Sequence, residues 1–412
     1  MAQSSAARSA ASPAPVTEYL RLGLAFDRLE EGFVDAYTGN PALRADVANG
    51  PAPEPSTLAD RARGLRRELP GDLPSDRADF IGAHLSALEC SARKFAGEEI
   101  GFVDEVRAYF DVDITMGDPQ TYREAHAAMA VELGVPDASG GALADAYAAH
   151  RRSDEIPADR VDDCVRAFSG ALRERVRSAF GLPDSELVEF DVVTDKPWSG
   201  FNYYLGDYHS RVAINVDLTQ YMSSLPHLIA HEAYPGHHTE HCRKEELLVG
   251  GGQEEQSIFL VNTPQCLMAE GLADHALVAA IGPDWGLWAQ EIYADLGLRF
   301  DGERAQRMSR ASSGLLGVRQ DAALLLHDRH ADQNEVADFL QRWLLAPPAR
   351  ARQMLRFLTS PLWRAYISTY VEGYRLLGTW LDAVPDHDRL VRFGRLLDEP
   401  LTPSQLRAEL GA

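Results

Sequence analysis

Apolar residues recur at intervals of three and four positions along most of the chain, which is the pattern of amphipathic helices. In the first half this pattern is clearest in TEYLRLGLAFDRLEEGFVDAY (17–37), ADFIGAHLSALECSARKFAG (78–97) and YREAHAAMAVELG (122–134). Clusters of Gly, Pro and Asp, which favour turns, occur at 39–56, 68–76 and 134–141. The first half is therefore predicted to consist of helices joined by loops.

A different pattern occupies the middle of the chain. The segments LVEFDVVTD (187–195) and FNYYLGDYHSRVAINVD (201–217) are rich in Val, Ile, Phe and Tyr and partly alternate between apolar and polar residues. They predict one small antiparallel β-sheet. Helical periodicity resumes from Leu218 to the C-terminus. The predicted fold class is therefore mainly α, with many helices and this one small sheet.

Composition also suggests how the chain is divided. Residues 1–15 are mostly Ala, Ser and Pro without periodicity and predict a disordered tail. Residues 16–185 then form a predicted N-terminal helical lobe, and residues 186–412 form a second lobe that contains the candidate chemistry. The composition marks this boundary weakly, so one continuous domain is the alternative.

The charge and the cysteines exclude several classes of function. The 412 residues include 62 acidic and 40 basic side chains, and the net charge of -22 disfavours nucleic acid and anionic membranes as partners. The four cysteines form no CxxC pair, so neither a disulfide framework nor a thiolate zinc site is predicted. Without a signal-peptide core or an apolar run of the ~18–20 residues that a membrane span needs, a cytoplasmic protein is expected.

Candidate chemistry is concentrated in HEAYPGHHTEH, residues 231–241. In the common His-Glu-x-x-His motif, two histidines four residues apart share a helical face and bind zinc, while the Glu is a general base. On a regular helix His237 would lie roughly 120° around from His231, and His238 would lie ~10 Å along the axis. Pro235 and Gly236 predict a break in the helix, which would make His237 the second ligand. His238 would then bond a neighbour or solvent, although the sequence leaves the choice between His237 and His238 open.

A third ligand is predicted in AEGLADH, where Glu270 and Asp274 lie four residues apart on one helical face. Zinc peptidases often take a carboxylate ligand from a later helix, and a second carboxylate often orients a ligating histidine. We assign Glu270 to the first role and Asp274 to the second, with Glu232 as the base and one Zn²⁺ per chain. The pair His227 and His231 is a competing metal geometry that would leave Glu232 and His237 without a role.

The stretch HEAYPGHH resembles a bacterial family catalogued as domain of unknown function 885, whose members look like gluzincin-type zinc metallopeptidases with a lengthened HExxxGHH motif. Further similar stretches are NYYLGDYHSRVAINVD, AEGLAD, VRQDAALLLH, NEVADFL and TYVEGYRLL. The resemblance covers roughly residues 185–385 and implies a two-lobed, metallopeptidase-like helical architecture.

This resemblance implies roles for individual residues. His231, His237 and Glu270 would bind zinc, Glu232 would be the base, and Arg319, His327 and Tyr370 would face the cleft. The chain departs from the family pattern at Ala323, where an acidic residue is usual, and at Tyr374, which separates the late Gly from Arg375. These differences concern the substrate more than the metal.

The leading hypothesis is a zinc-dependent hydrolase of peptide bonds, with a short peptide or another amide as substrate. Tyr370 is the first choice as donor to the oxyanion, ahead of His327 and Arg319, and Arg319 could instead pair with a C-terminal carboxylate. The strand at Asn202, Tyr203 and Tyr204 could pair with an extended peptide, and Arg375 is a further substrate-binding candidate.

Two alternative functions stay open. One is a metal-dependent hydrolase of a non-peptide amide in small-molecule metabolism. The other is a catalytically silent helical protein that binds a peptide or small ligand, against which the presence of Glu232 argues. The sequence does not indicate an oligomeric state.

Overall fold

A computed structural model describes residues 13–71, 73–136, 141–194, 200–215 and 217–411. The chain is mainly helical, as predicted. The helices are α1 Ala14–Phe26, α2 Pro41–Asn49, α3 Pro55–Glu68, α4 Ser75–Phe95, α5 Phe102–Phe110, α6 Pro119–Leu133, α7 Gly141–Ser153, α8 Val161–Phe180, α9 Leu225–Glu232, α10 His237–Lys244, α11 Pro264–Ile281, α12 Trp285–Asp295, α13 Gly302–Ser312, α14 Val318–His327, α15 Gln333–Leu344, α16 Pro348–Thr359, α17 Tyr374–Asp382, α18 Asp386–Asp398 and α19 Pro403–Leu410.

Two small sheets accompany the helices. The strands are β1 Val34–Tyr37, β2 Leu187–Val193, β3 Gly200–Gly206, β4 His209–Asn215 and β5 Ile258–Leu260. The order in the larger sheet is β2-β4-β3, with β4 antiparallel to β3 but parallel to β2. The prediction of one antiparallel sheet is therefore wrong in two respects, because this sheet is mixed and β1 pairs with β5 in a second one. Alternation along a strand identifies its buried face but carries no information about the direction of its partner.

The predicted helices at 78–97 and 122–134 correspond to α4 and α6. The helix predicted at 17–37 is wrong in its second half, because α1 ends at Phe26 and the chain then forms β1. The loop predicted at 39–56 contains α2, whose cap Asn40 accepts a hydrogen bond from the backbone N–H of Ala42. Of the predicted disordered tail, residues 1–12 lie outside the described part, whereas Ala14 and Pro15 already belong to α1.

Helix α11 lies at the centre of the fold and is buried along most of its length. It packs against α9, α17, α4 and α5, and so contacts elements from both halves of the sequence. Its Gly271 lies against Gly373, where an added Cβ would come within 2.7 Å of the Gly373 backbone. This approach, which only glycine allows, brings α11 against the π-helical turn Thr369–Gly373. The proposed division into two lobes stays a prediction.

None of the described helices combines the length and the apolar composition that crossing a lipid bilayer requires.

Candidate metal centre

The helix of the His-Glu motif is interrupted where the sequence predicts a break. Helix α9 ends at Glu232 and α10 begins at His237, so four residues separate the two helices. Gly236 crosses directly over the end of α9, where an added Cβ would lie 1.9 Å from the carbonyl oxygen of His231. No other residue fits there without displacing the backbone. The interruption brings His237 beside His231 despite their unfavourable spacing on a regular helix.

Three side chains converge at this point, and we call His231, His237 and Glu270 the metal cluster. The Nε2 atoms of His231 and His237 are 3.2 Å apart, and Glu270 Oε2 lies 3.2 Å from His231 Nε2. In the part of the chain that the structure describes, they are the one group of potential ligands whose donor atoms all lie within 4.8 Å of one another. Ligands of a tetrahedral zinc ion with bonds of 2.0–2.1 Å are about 3.3 Å apart. Two of the separations are close to this value and the third, from His237 Nε2 to Glu270 Oε1, is 3.9 Å, so the spacing is near that of a site for a small divalent cation.

Hydrogen bonds from neighbouring residues hold the donor atoms in place. His231 Nδ1 lies 3.1 Å from Asp274 Oδ1, which favours a proton on Nδ1 and leaves the lone pair of Nε2 in the cluster. The Tyr366 hydroxyl donates to Glu270 Oε1 at 2.6 Å. Glu270 Oε2 is buried and accepts no hydrogen bond from the described residues. A buried carboxylate oxygen without a donor is costly, and a cation between the three side chains would satisfy it.

The neighbouring His238 belongs to a different network. Its side chain is fully buried, with Nδ1 2.9 Å from the Ser210 hydroxyl and Nε2 3.1 Å from Glu186 Oε2. Burial lowers the pKa of His238. Glu186 also accepts hydrogen bonds from Tyr234 at 2.8 Å and Arg173 at 2.5 Å. Of the two adjacent histidines, His237 is therefore the one available to a metal, and His238 bonds a neighbour.

Glu232 is the last residue of α9 and lines a cavity next to the metal cluster. Its backbone carbonyl accepts a hydrogen bond of 2.7 Å from the side chain of Asn202. Its carboxylate is buried and has no hydrogen-bond partner among the described residues. Burial raises the pKa of this carboxyl, as does the negative charge of Glu270, although the two cluster histidines oppose the increase. A carboxylate held in this way suits general-base chemistry.

The cavity beside the cluster has a volume of about 410 Å³, within the usual range for a small-molecule site. His231 and Glu232 lie in its wall together with Tyr370 and Arg319. The Tyr370 ring contacts that of Tyr366, and its hydroxyl makes no hydrogen bond within the described part of the chain. Two of the three residues predicted to face the cleft therefore line this cavity.

Other predicted residues lie elsewhere. His327 does not line the cavity; its Nε2 lies 2.6 Å from the carbonyl oxygen of Leu358, and its ring packs on Phe102. Arg375 lines a separate cavity and bonds Glu372.

In β3, Asn202 supports the backbone of Glu232, whereas Tyr203 lies beside Arg211 and Tyr204 donates to Glu245. Gly200 is the β3 residue in the cavity wall. His227, the competing ligand candidate, packs on Trp285 and is not part of the metal cluster.

Sequence reasoning missed three residues near the cluster. Tyr366 follows a Pro-Leu-Trp turn without a distinctive motif, and Arg350 follows two prolines. Asp35 lies in β1, within the segment 17–37 for which the periodicity predicts a helix. The Asp35 side chain is exposed, and its charge interacts with that of His237. The alternation of apolar and polar residues in VDAY (34–37) is the local signal that predicts a strand with Asp35 on its exposed face.

Comparisons with known proteins show what the fold resembles. No protein-family model matches the chain, and no curated protein matches its sequence. A crystal structure of a candidate lipoprotein from Colwellia psychrerythraea superposes with a TM-score of 0.52 at 13% identity, over 95% of this chain and 74% of that one. At this identity the match shows a shared fold alone. The resemblance to the family of unknown function stays a prediction.

Two further structures superpose less closely. A candidate lipoprotein of unknown function from Shewanella oneidensis has a TM-score of 0.48 at 15% identity, over 97% of this chain and 83% of that one. An M32 carboxypeptidase from Deinococcus radiodurans has a TM-score of 0.43 at 13% identity, over 97% and 94%.

Proposed function

We propose that the protein is a zinc-dependent hydrolase of peptide bonds or closely related amide bonds. The observation that carries this proposal is the convergence of the His231 and His237 Nε2 atoms and the Glu270 carboxylate beside the carboxylate of Glu232. Two imidazoles and one carboxylate are a ligand set of catalytic zinc sites, which keep a further position open. When bound there, zinc supplies Lewis-acid polarisation of the scissile carbonyl and makes a water acidic enough to lose a proton near neutral pH.

Glu232 moves the proton in this proposal. Its carboxylate takes a proton from the attacking water and passes it to the leaving amine nitrogen. A raised pKa suits this role, because the group must accept the proton and then release it near neutral pH. The hydrogen bond from Asn202 to the backbone of Glu232 holds the end of α9 against β3.

Tyr370 is the donor that we assign to the developing oxyanion. Its hydroxyl has no hydrogen-bond partner among the described residues, whereas that of Tyr366 is already bonded to Glu270. Burial raises the pKa of Tyr370 well above its usual value, so the phenol keeps its proton and can donate it in a hydrogen bond.

Strand β3 favours a peptide as the substrate. It is an edge strand of the β2-β4-β3 sheet and reaches the cavity wall at Gly200. An extended peptide can add to such an edge through backbone hydrogen bonds, which would lay its amide across Glu232. The alternative of a catalytically silent binder has no comparable support, because a binding site does not need the carboxylate of Glu232 beside a metal site.

The test is Glu232→Gln, which keeps the shape of the side chain and removes the base. The purified protein should bind about one zinc per chain. The variant should keep that zinc and lose hydrolysis of short peptides by about 10²–10⁴-fold. Glu246→Gln is the matched control, because Glu246 is an exposed carboxylate a short distance beyond α10. A Glu232→Gln protein as active as its parent would refute the proposal.

A further inference from the structure

The cavity beside the metal cluster has a second charged group, Arg319 and Arg350, which we call the arginine pair. Both residues line the same cavity as His231 and Glu232. Arg319 lies in the first turn of α14 and Arg350 in the first turn of α16. The charges of the two guanidinium groups interact with each other. Two helices that are distant in the sequence therefore place two cations in the wall of the same cavity.

The arginine pair lacks the carboxylate partners that other arginines of the chain have. Those partners include Glu186 for Arg173, Asp398 for Arg243 and Glu105 for Arg364. Within the described residues, Arg319 makes neither a hydrogen bond nor an ion pair. Arg350 donates to the neutral side chain of Gln353 at 2.7 Å and has no carboxylate partner. The donors of both groups are therefore available to a ligand.

Local electrostatics favour an anion beside the arginine pair. The first turn of a helix carries a partial positive charge, which repels a cation. Partial burial, together with the charge of Arg319, lowers the pKa of Arg350, whereas the Arg319 side chain is exposed to solvent. A guanidinium nevertheless keeps its proton in proteins. A carboxylate between the two groups would offset one of the two positive charges and accept hydrogen bonds from several of their N–H donors.

We propose that the arginine pair binds the C-terminal α-carboxylate of the substrate, so that the amide cleaved is one close to a free carboxyl end. This inference rests on the proposed function. The substrate class is short peptides and N-acyl amino acids with a free carboxylate. Tyr370 and Asp274 line the cavity, and both interact electrostatically with Arg319, which connects the carboxylate subsite with the metal cluster.

The other residues that line the cavity indicate which C-terminal side chain the substrate has. Met354, Phe357, Leu358 and Ile367 line the cavity, and the first three lie on the same helix as Arg350. An apolar C-terminal residue would bury its side chain against them, at roughly 25 cal/mol for each Å² of apolar surface removed from water. N-acetyl-leucine is therefore a suitable probe, and its C-terminal amide has nearly the same shape but no negative charge.

The first experiment measures binding without metal or turnover. Chelator-treated protein is titrated calorimetrically with N-acetyl-leucine and with N-acetyl-leucinamide. The acid should bind at least about 10-fold more tightly, because charge-assisted hydrogen bonds are lost in the amide. Arg319→Gln and Arg350→Gln should each abolish this preference. Arg352→Gln should keep it, because Arg352 is exposed on α16 and does not line the cavity.

Equal binding of the acid and the amide, binding of neither, or a preference that survives both Gln substitutions would each overturn the inference. Circular dichroism of every variant excludes unfolding as the cause of a lost preference. Dipeptides and N-acylated substrates both have a C-terminal carboxylate, and a further titration distinguishes them. It compares leucyl-leucine, which has a free amine, with its N-acetylated form. A preference for the acylated form indicates N-acyl amino acids and peptides, and a preference for the free form indicates dipeptides.

The second experiment measures hydrolysis by the zinc-loaded protein of N-acetyl dipeptides with and without a C-terminal amide. The free acids should have kcat/KM values at least about 10-fold higher, with the loss in the arginine variants mainly in KM. Equal hydrolysis of acids and amides, abolished by Glu232→Gln, would refute the carboxylate subsite and leave the hydrolase intact. Selective binding of acids without hydrolysis would refute the hydrolase and leave the subsite intact.

Discussion

The metal cluster and the arginine pair lie in the same cavity, but the protein supports them differently. In the cluster, His231 is hydrogen-bonded to Asp274, and Glu270 accepts a hydrogen bond from Tyr366. In the arginine pair, Arg350 has one neutral partner and Arg319 has none among the described residues. The first group is positioned by its protein environment, whereas the second lacks partners that would fix its charges.

The atoms left without partners also differ in kind between the two groups. In the metal cluster the unpartnered atom is an acceptor, Glu270 Oε2, which lies beside the two imidazole nitrogens that face each other. In the arginine pair the unpartnered atoms are N–H donors. Unsatisfied acceptors favour a cation, and unsatisfied donors favour an anion. One cavity is thereby suited to a metal ion and a carboxylate at the same time, which explains why neither group is neutralised from within the chain.

The largest expected effect comes from removing a donor of the metal cluster. His237→Ala should reduce zinc affinity by more than the 10–100-fold that is typical when an outer partner is lost, because one of three protein ligands disappears. Peptide hydrolysis should be lost with the metal. Zinc content after dialysis measures the effect, and His387→Ala, whose side chain is 80% exposed, is the control. Undiminished zinc binding by His237→Ala would disprove this ligand assignment.

A smaller effect is expected from the residue that orients His231. Asp274→Ala removes the acceptor of the Nδ1 proton, and zinc affinity should fall by about 10–100-fold while the three ligands remain. Competition with a chromogenic chelator measures the affinity. Asp295→Ala, an exposed carboxylate at the end of α12, should leave it unchanged. Unchanged affinity in Asp274→Ala would show that the cluster does not need this support.

The smallest effect should have the opposite sign, because the arginine pair opposes the stability of the ligand-free protein. Arg319→Gln removes a cation from the first turn of α14 and from the neighbourhood of Arg350. The free energy of unfolding should rise by about 0.3–1 kcal/mol, as expected for relief of an unfavourable helix-dipole interaction. Urea denaturation measures it, with Arg352→Gln as the neutral reference. A clear loss of stability would show that Arg319 has a structural partner.

Much of the metal cluster could be predicted because its signals are local. Pro235 lacks the N–H donor of a regular helix and Gly236 accepts a close backbone contact, so the break between α9 and α10 follows from adjacent residues. The spacing of Glu270 and Asp274 on one helix likewise predicts two carboxylates on one face. The strand β1 could not be predicted in this way, because its pairing with β5 joins residues more than 200 positions apart.

By itself, the sequence determined the mainly helical fold, the broken helix and the candidate metal ligands, with His237 and His238 as alternatives for one position. The structure favours His237 there, because His238 bonds Ser210 and Glu186. The tertiary structure decided which distant residues reach them. The close approach of Gly271 to Gly373 brings Tyr366 and Tyr370 to the cluster, and the packing of α14 and α16 brings Arg319 and Arg350 to one wall while leaving His327 outside it. Periodicity reports which face of an element is buried, but which other element covers that face depends on contacts across the whole chain.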